Sequence, residues 1–300
     1  MFEVRDWPLL LRAMVCCALA TLCVEGSAVE SPESSSKTSP AASWKENARS
    51  NATRNDPRTS APPATPSATP QRDPATHSNF TIALDIGHSP KKGGAVSARG
   101  ISEYDFNHRL VTELFQRLQF SRVARSFIIN PEGNEISLPK RADEAQKGQA
   151  DLFLAIHHDS VKESYLKKWE FDGKTRKYCD DFHGYSIFIS QKNAKPLESL
   201  GFATALGRAL LKAGFTPTLH HVAQENRPLL DKEKGIYAFD DLIVLKAARM
   251  PAVLLECGVI VNREEENNLN DRSYRSRLIG AVSDAIEFLA SAALAASEKQ

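Results

Sequence analysis

The spacing of apolar residues separates an irregular N-terminal quarter of the chain from a patterned remainder. From residue 80 onward, short apolar runs alternate with longer stretches in which apolar residues recur about every fourth position. Short runs that are rich in β-branched and aromatic residues indicate strands. We predict strands at 80–84, 123–129, 152–156, 185–190 and 252–256.

Four longer segments have the pattern of helices. In the first, Phe106, Leu110 and Leu114 recur every four residues and mark one apolar face. Strands that alternate with helices, several of them apolar on both faces, predict an α/β fold whose sheet is covered on both sides. We expect a single domain with a mostly parallel or mixed sheet of five to six strands and helices on both faces. Further helices are predicted at 138–148, 197–213 and 272–296.

The first 28 residues have the pattern of a secretory signal peptide. Arg5 and Arg12 precede an apolar run at 13–24, and small residues follow it up to Ala28. The run is about half the ~20 residues that a bilayer span needs. We therefore expect cleavage after Ala28, no stable membrane anchor afterwards, and a periplasmic or secreted protein.

Residues 29–78 differ in composition from the rest of the chain. They are rich in Ser, Thr, Ala and Pro, and they contain no glycine. Such a segment cannot bury enough apolar surface to offset the entropy lost on ordering, so we predict a disordered tether. The predicted organisation is a signal peptide at 1–28, a linker at 29–78 and a folded domain at 79–296, with an insertion at 161–183.

Charge and cysteine content narrow the range of functions. The formal net charge is +1 and the isoelectric point is about 7.7, which excludes the basic surface typical of nucleic-acid binding. After removal of the signal peptide, two cysteines remain, Cys179 and Cys257. One disulfide and two free thiols are both compatible with an oxidising compartment.

Residues able to carry out chemistry follow three of the predicted strands. His88, His157 and Glu256 stand at strand ends, where ligand sites of open α/β sheets lie. Glu103 comes just before the first helix. Each has a structural alternative, such as a surface histidine, a core histidine, or an acid favoured by the helix dipole. Glu256 lies in an apolar run, where an unpaired carboxylate is costly to bury, so its structural alternative is a carboxylate held by a hydrogen bond or an ion pair.

In combination, these residues match the requirements of hydrolytic zinc. Catalytic zinc uses three protein ligands of the histidine and carboxylate type and leaves one position open. A further carboxylate nearby takes the proton of the attacking water. We predict one Zn²⁺ per chain, held by His88, Glu103 and His157, with Glu256 as the general base.

Four segments of the chain, in the same order and at comparable spacing, resemble the zinc-dependent N-acetylmuramoyl-L-alanine amidases of the amidase-3 family. They are 82–88 (IALDIGH), 100–107 (GISEYDFN), 150–157 (ADLFLAIH), which follows Arg141, and 251–258 (PAVLLECG), which precedes Asn262. The resemblance implies the ligand set named above and Glu256 as general base and then proton donor. It also implies peptidoglycan as substrate, cut between the lactyl group of N-acetylmuramic acid and L-alanine.

Several positions depart from the family pattern or leave alternatives open. Ile86 and Ser89 replace the usual proline and glycine, and His158 stands where a small residue is usual and competes with His157 as a ligand. Asp159 either orients a ligand or is a turn acid, and Arg141 is a candidate for ligand support or substrate contact. The polar segment 220–227 begins with two histidines that offer a weaker ligand alternative.

Two alternative functions are compatible with the same residues. They are another peptidoglycan metallohydrolase of the carboxypeptidase type and a wall-binding domain without activity. The insertion at 161–183 is either a surface flap with a small core of its own or an element that contacts substrate. We expect a monomer that does not bind nucleic acid, and the sequence leaves open whether an activator protein is needed.

Overall fold

The computed structural model describes residues 80–297, so the predicted signal peptide and linker lie outside the described residues. The core of the described part is a seven-stranded mixed sheet with the strand order β2-β1-β3-β9-β6-β8-β7. Strands β2, β1, β3 and β9 are parallel to one another, β6 runs antiparallel to β9, and β7 runs antiparallel to β8. The strands are β1 Thr81–Ile86, β2 Arg125–Ile129, β3 Leu152–Asp159, β6 Ser186–Ile189, β7 Leu229–Asp231, β8 Ile236–Ala238 and β9 Ala252–Val259.

Helices cover both faces of this sheet. One face packs on residues of α1, α3 and α6 and the other on residues of α2 and α4. The α/β prediction with two covered faces is therefore confirmed. The helices are α1 Glu103–Leu118, α2 Leu138–Lys147, α3 Pro196–Lys212, α4 Ile243–Ala247, α5 Arg263–Asn270 and α6 Arg272–Ser297, with 3₁₀ turns at Glu163–Tyr165 and His220–Ala223.

The start of α1 shows how the sequence fixes the position of a functional side chain. The Ser102 side chain caps the helix by accepting a hydrogen bond from the Asp105 amide at 3.3 Å. The apolar stripe that begins with Phe106 is buried against the sheet. Cap and stripe together place Glu103, the first helical residue, above the end of the sheet.

The prediction of five to six strands in the sheet was too low. Strands β7 and β8 have three residues each, which is too short for an alternating pattern to be visible in the sequence. The helix α5 was also missed, because Leu269 is its one buried apolar residue. These elements form because neighbouring strands and helices hold them, not because their own pattern is strong.

The insertion forms a separate two-stranded hairpin, β4 Lys167–Phe171 and β5 Lys174–Tyr178. Trp169 donates its indole N–H to the carbonyl of Ala98 at 3.0 Å and stacks on Phe171. Arg99 lies 5.6 Å from the centre of the Trp169 ring. The hairpin is thus docked on the loop that leads into α1. A small cluster of Cys179, Val259 and Val261 with Val161, Leu166 and Phe182 lies at its base.

Two further features bear on the expectations from sequence. Cys179 and Cys257 are both buried free thiols. Helix α6 is long and apolar enough to cross a membrane, with a mean hydropathy of 1.6, and 44% of that window is buried. Because Leu278, Val282 and Ile286 of α6 lie in the core, packing within the domain accounts for its apolar character.

Candidate metal centre and active site

Three residues meet above the adjacent parallel strands β1 and β3. His88 follows β1, His157 lies near the end of β3, and Glu103 begins α1. The carboxylate of Glu103 bridges the two imidazoles, with Oε2 at 2.9 Å from His88 Nε2 and Oε1 at 2.9 Å from His157 Nδ1. The potential ligand atoms of the three residues all lie within 4.8 Å of one another. The structure therefore brings together the set that the sequence predicted.

This group has the chemistry and the access that a zinc ion requires. Two ring nitrogens and a carboxylate converge, which is a known catalytic ligand set. The side chain of Glu103 is 6% exposed and that of His88 is 33% exposed, so the group is open to solvent on one side. Burial by itself raises the pKa of Glu103, but hydrogen bonds from His157 and His88 outweigh burial and lower it far below its usual value. The residues present fit a divalent metal.

Two glycines make room for the group. A Cβ atom on Gly94 would lie 2.4 Å from Glu103 Oε2 and 2.6 Å from the ring of His88. A Cβ atom on Gly87 would lie 2.5 Å from the ring of His157. Gly94 also has a φ of +75°, which favours glycine. Both positions therefore exclude any larger residue while the three side chains keep this arrangement.

Arg141 supports the backbone around His88. Its Nη1 donates to Asp85 Oδ1 at 2.7 Å and to the carbonyl of Ile86 at 2.6 Å, and its Nη2 donates to the carbonyl of His88 at 2.6 Å. Arg141 is 4% exposed. His88 itself has a φ of +69°, an unfavourable conformation for a residue with a side chain. The arginine thus stabilises the ligand loop from below and does not face the open side of the site.

His157 and His158 point to opposite faces of β3. The His158 ring is buried beside Phe106, and its Nδ1 lies 2.7 Å from Asn107 Oδ1. The Asn107 amide in turn donates to the carbonyl of Gly87 and to Glu103 Oε1. Burial lowers the pKa of His158 to about 3. His158 is therefore a neutral core histidine that helps to hold Glu103, and His157 is the one that faces the candidate ligands.

Glu256 lies on β9, directly opposite His157 in the register between β3 and β9. One of its carboxylate oxygens, Oε2, is inaccessible to solvent and has no hydrogen-bond partner among the described residues. Burial, and then the charges of Asp159 and Glu103, raise the pKa of Glu256 well above its usual value. A buried carboxylate without a partner, beside the candidate metal ligands, has the chemistry of a proton acceptor.

Beyond Glu256 lies a hydrogen-bonded chain that the sequence did not reveal. Asp159 Oδ2 lies 2.6 Å from His221 Nε2, and Arg227 Nη1 lies 2.8 Å from His221 Nδ1. Because arginine only donates, His221 Nδ1 accepts and Nε2–H donates to Asp159. His220 adds a second ring nitrogen 3.4 Å from Asp159. The geometry of Asp159, His220 and His221 could accommodate an ion, but the adjacent Arg227 cation and this tautomer favour a hydrogen-bonded chain.

Comparison with known proteins agrees with this architecture. The family of N-acetylmuramoyl-L-alanine amidases matches residues 82–288. The chain belongs to this family. Membership assigns it to the amidase class of hydrolases, and the matched range contains all the candidate site residues.

Individual relatives are similar over the same part of the chain. A probable N-acetylmuramoyl-L-alanine amidase AmiB of Haemophilus influenzae is 28% identical over 66% of this chain and 49% of its own length, so the chain spans about half of that relative. The amidase Ami1 of Mycobacterium smegmatis superposes with a TM-score of 0.57 at 17% identity, over 73% of this chain and 100% of that one. The CwlD amidase of Clostridioides difficile, solved with the GerS lipoprotein, gives 0.50 at 20% identity, over 71% and 100%. These structures share the fold.

Proposed function

We propose that the protein hydrolyses the amide bond between the lactyl group of N-acetylmuramic acid and L-alanine in peptidoglycan, with one zinc ion held by His88, Glu103 and His157. The observation that carries this proposal is the unpaired Oε2 of Glu256, a proton acceptor on the strand beside the ligand group. Family membership supports the bond and the substrate.

The ligand group fixes where the scissile bond would lie. His88 Nε2 and His157 Nδ1 converge on the carboxylate of Glu103 at the start of α1, and the His88 side chain is the most exposed of the three. A Zn²⁺ ion held there would supply Lewis acidity toward the scissile carbonyl and the attacking water. Arg141 and Asn107 keep the backbone and the carboxylate in place through the contacts described above.

Glu256 would perform the two proton transfers of the reaction. Its carboxylate accepts a proton from water as the water attacks the carbonyl, and it then gives that proton to the nitrogen of L-alanine as the C–N bond breaks. Burial favours the protonated form and so helps the carboxylate to accept the proton from water, and the nitrogen of L-alanine becomes basic enough to take that proton as the C–N bond breaks. The same side chain therefore serves as base and then as acid.

The proposal includes the location of the reaction, a possible activator protein and the oligomeric state of the enzyme. The predicted signal peptide supports export to the periplasm or the medium, where peptidoglycan lies. The pairing of CwlD with the GerS lipoprotein supports a search for an activator of this chain. Among the described residues, the chemistry of the site is supplied by one copy of the chain, which fits a monomer.

Product analysis of digested cell wall tests the proposal. Purified sacculi are incubated with the protein, with and without a chelator, and the fragments are analysed by mass spectrometry. We expect free lactyl groups and new N-terminal L-alanine, both abolished by the chelator. Release of C-terminal amino acids instead would indicate a carboxypeptidase, and binding without products would indicate a wall-binding domain.

Two variants assign the roles within the site. We expect Glu256→Gln to retain zinc and lose hydrolysis, because the amide cannot accept the proton. We expect His88→Ala to lose zinc in elemental analysis. Full activity of the first variant or full metal content of the second would contradict the corresponding assignment.

A further inference from the structure

Arg227 is a cation beside the candidate active site that has no acidic partner in the described part of the chain. Its guanidinium lies over the rings of Phe239, at 4.6 Å from the centre, and Phe188, at 5.3 Å. Within residues 80–297 no carboxylate pairs with it, whereas Arg99, Arg141, Arg263 and Arg275 each form a salt bridge. The side chain is thus held by aromatic faces and keeps its charge uncompensated.

The hydrogen-bonded chain from Asp159 fixes the orientation of this guanidinium. Nη1 of Arg227 is engaged by His221, which Asp159 holds from the other side. The nitrogen Nε of Arg227 is buried and has no acceptor among the described residues, and Nη2 has none either. Nε and Nη2 form one planar edge of an arginine, the edge that matches both oxygens of a carboxylate.

The strand order places the Nε–Nη2 edge of Arg227 relative to the scissile bond of the proposed reaction. The ligand group lies over β1 and β3, Glu256 lies on β9, and Arg227 lies over Phe188 of β6 and Phe239, which follows β8. Because Glu256 would protonate the leaving nitrogen, the carbonyl lies toward β1 and the stem peptide continues toward β6 and β8. Arg227 therefore lies on the side of the leaving peptide.

We propose that Arg227 binds the α-carboxylate of the second stem residue, D-glutamate, and so selects stems that are not amidated at this position. This rests on the proposed amidase function. In an extended stem, this carboxylate lies about 6 Å from the scissile nitrogen, by backbone dimensions. Neighbouring strands are about 4.8 Å apart, so the carboxylate reaches the zone over β6. His221 and Asp159 act as positioning residues, since they hold the guanidinium and do not touch the stem.

The test uses three soluble, uncrosslinked synthetic glycan strands that differ in one group. The first carries stems of L-alanine, D-glutamate and meso-diaminopimelate, the second has D-isoglutamine at position two, and the third has an amidated diaminopimelate. We expect wild-type kcat/KM on the first and third strands to exceed that on the second by about 10- to 100-fold, as for a lost charged hydrogen-bond pair.

Variants at Arg227 identify the residue responsible. Arg227→Gln is expected to lower kcat/KM on the first strand to the level of the second, so that the preference between these two strands disappears. Arg227→Lys keeps the charge without the planar edge and is expected to retain only part of the preference. Arg249→Gln, at an exposed arginine, is the matched control and keeps the full preference. Circular dichroism of each variant verifies the fold.

The outcomes separate this inference from the proposed function. Equal wild-type rates on the first two strands, or a preference that persists in Arg227→Gln, would overturn the inference while the amidase function stands. Sensitivity to the third strand instead of the second would overturn the assignment to D-glutamate. A wild-type protein that cleaves none of the strands would overturn the proposed function, and the inference with it.

Discussion

Replacing Arg141 by methionine tests whether the buried support under His88 stabilises both the fold and the metal group. Arg141 and Asp85 are 4% and 1% exposed, and the substitution leaves the Asp85 carboxylate without its cation. Breaking a buried pair from one side costs about 3–5 kcal/mol. For a domain of this size, that corresponds to a fall in Tm of roughly 6–20 °C.

The assay is urea unfolding of the metal-free protein, followed by zinc titration of the folded variant. Because the carbonyl of His88 also loses its donor, we expect zinc affinity to fall about 10- to 100-fold, as for lost support of metal ligands. Lys140→Met is the matched control on the same helix. Lys140 pairs with Glu144 at the surface, where solvent screens the pair, so its loss should leave the stability close to that of the wild type.

The stability lost in Arg141→Met should depend on pH, which provides a second test of the role of Arg141. Burial raises the pKa of Asp85, while Arg141 opposes that rise, so removal of Arg141 raises it further. An acid whose folded pKa lies above its unfolded value destabilises the fold at high pH, and this penalty shrinks as pH falls through the folded pKa. The defect of Arg141→Met should therefore be largest near pH 8 and decrease toward pH 4. A variant as stable as wild type, with unchanged zinc affinity, would refute the reasoning.

Three further predictions concern other parts of the domain. Gly94→Ala should abolish zinc binding while the fold persists, because its Cβ would meet Glu103 Oε2; normal metal content would contradict this. Replacing residues 167–178 by a short Gly-Ser linker should slow digestion of intact sacculi, and unchanged turnover would exclude a substrate-contacting role for the hairpin. Burial raises the pKa of Glu265 to about 7, so its charged form penalises the fold above that pH. The stability of Glu265→Gln relative to wild type should accordingly increase from pH 5 to pH 8 in unfolding experiments, and a pH-independent difference would count against it.

The strand ends were predictable because apolar runs mark buried strands and parallel strands end at one edge of the sheet. That reasoning is sufficient to bring His88, His157 and Glu256 together from the amino-acid sequence alone. The choice between His157 and His158 depends on the face of β3 that each occupies, and two adjacent histidines at a strand end carry no signal about it. The sequence left the role of Arg141 open between ligand support and substrate contact, because two of its acceptors are backbone carbonyls that no side-chain pattern reveals.

The second half of the site was not visible in the sequence for a different reason. His221 and Arg227 belong to a polar segment without periodicity, and Asp159 lies about 60 residues earlier in the chain. Their contacts exist because β6 and β8 carry aromatic rings under that segment. The weak signal that could have drawn attention to it was a pair of histidines followed by an arginine in a loop near a strand-end site.

The position of β9 in the sheet has a consequence for biosynthesis. This strand lies between β3 and β6 at the centre of the sheet, yet it is the last strand in sequence among the described residues. The halves on either side cannot be joined until residues 252–259 have been made, and pairing over such sequence distances is slow. A nascent chain would remain incompletely folded through most of the synthesis of the domain, which is compatible with the proposed export of the protein.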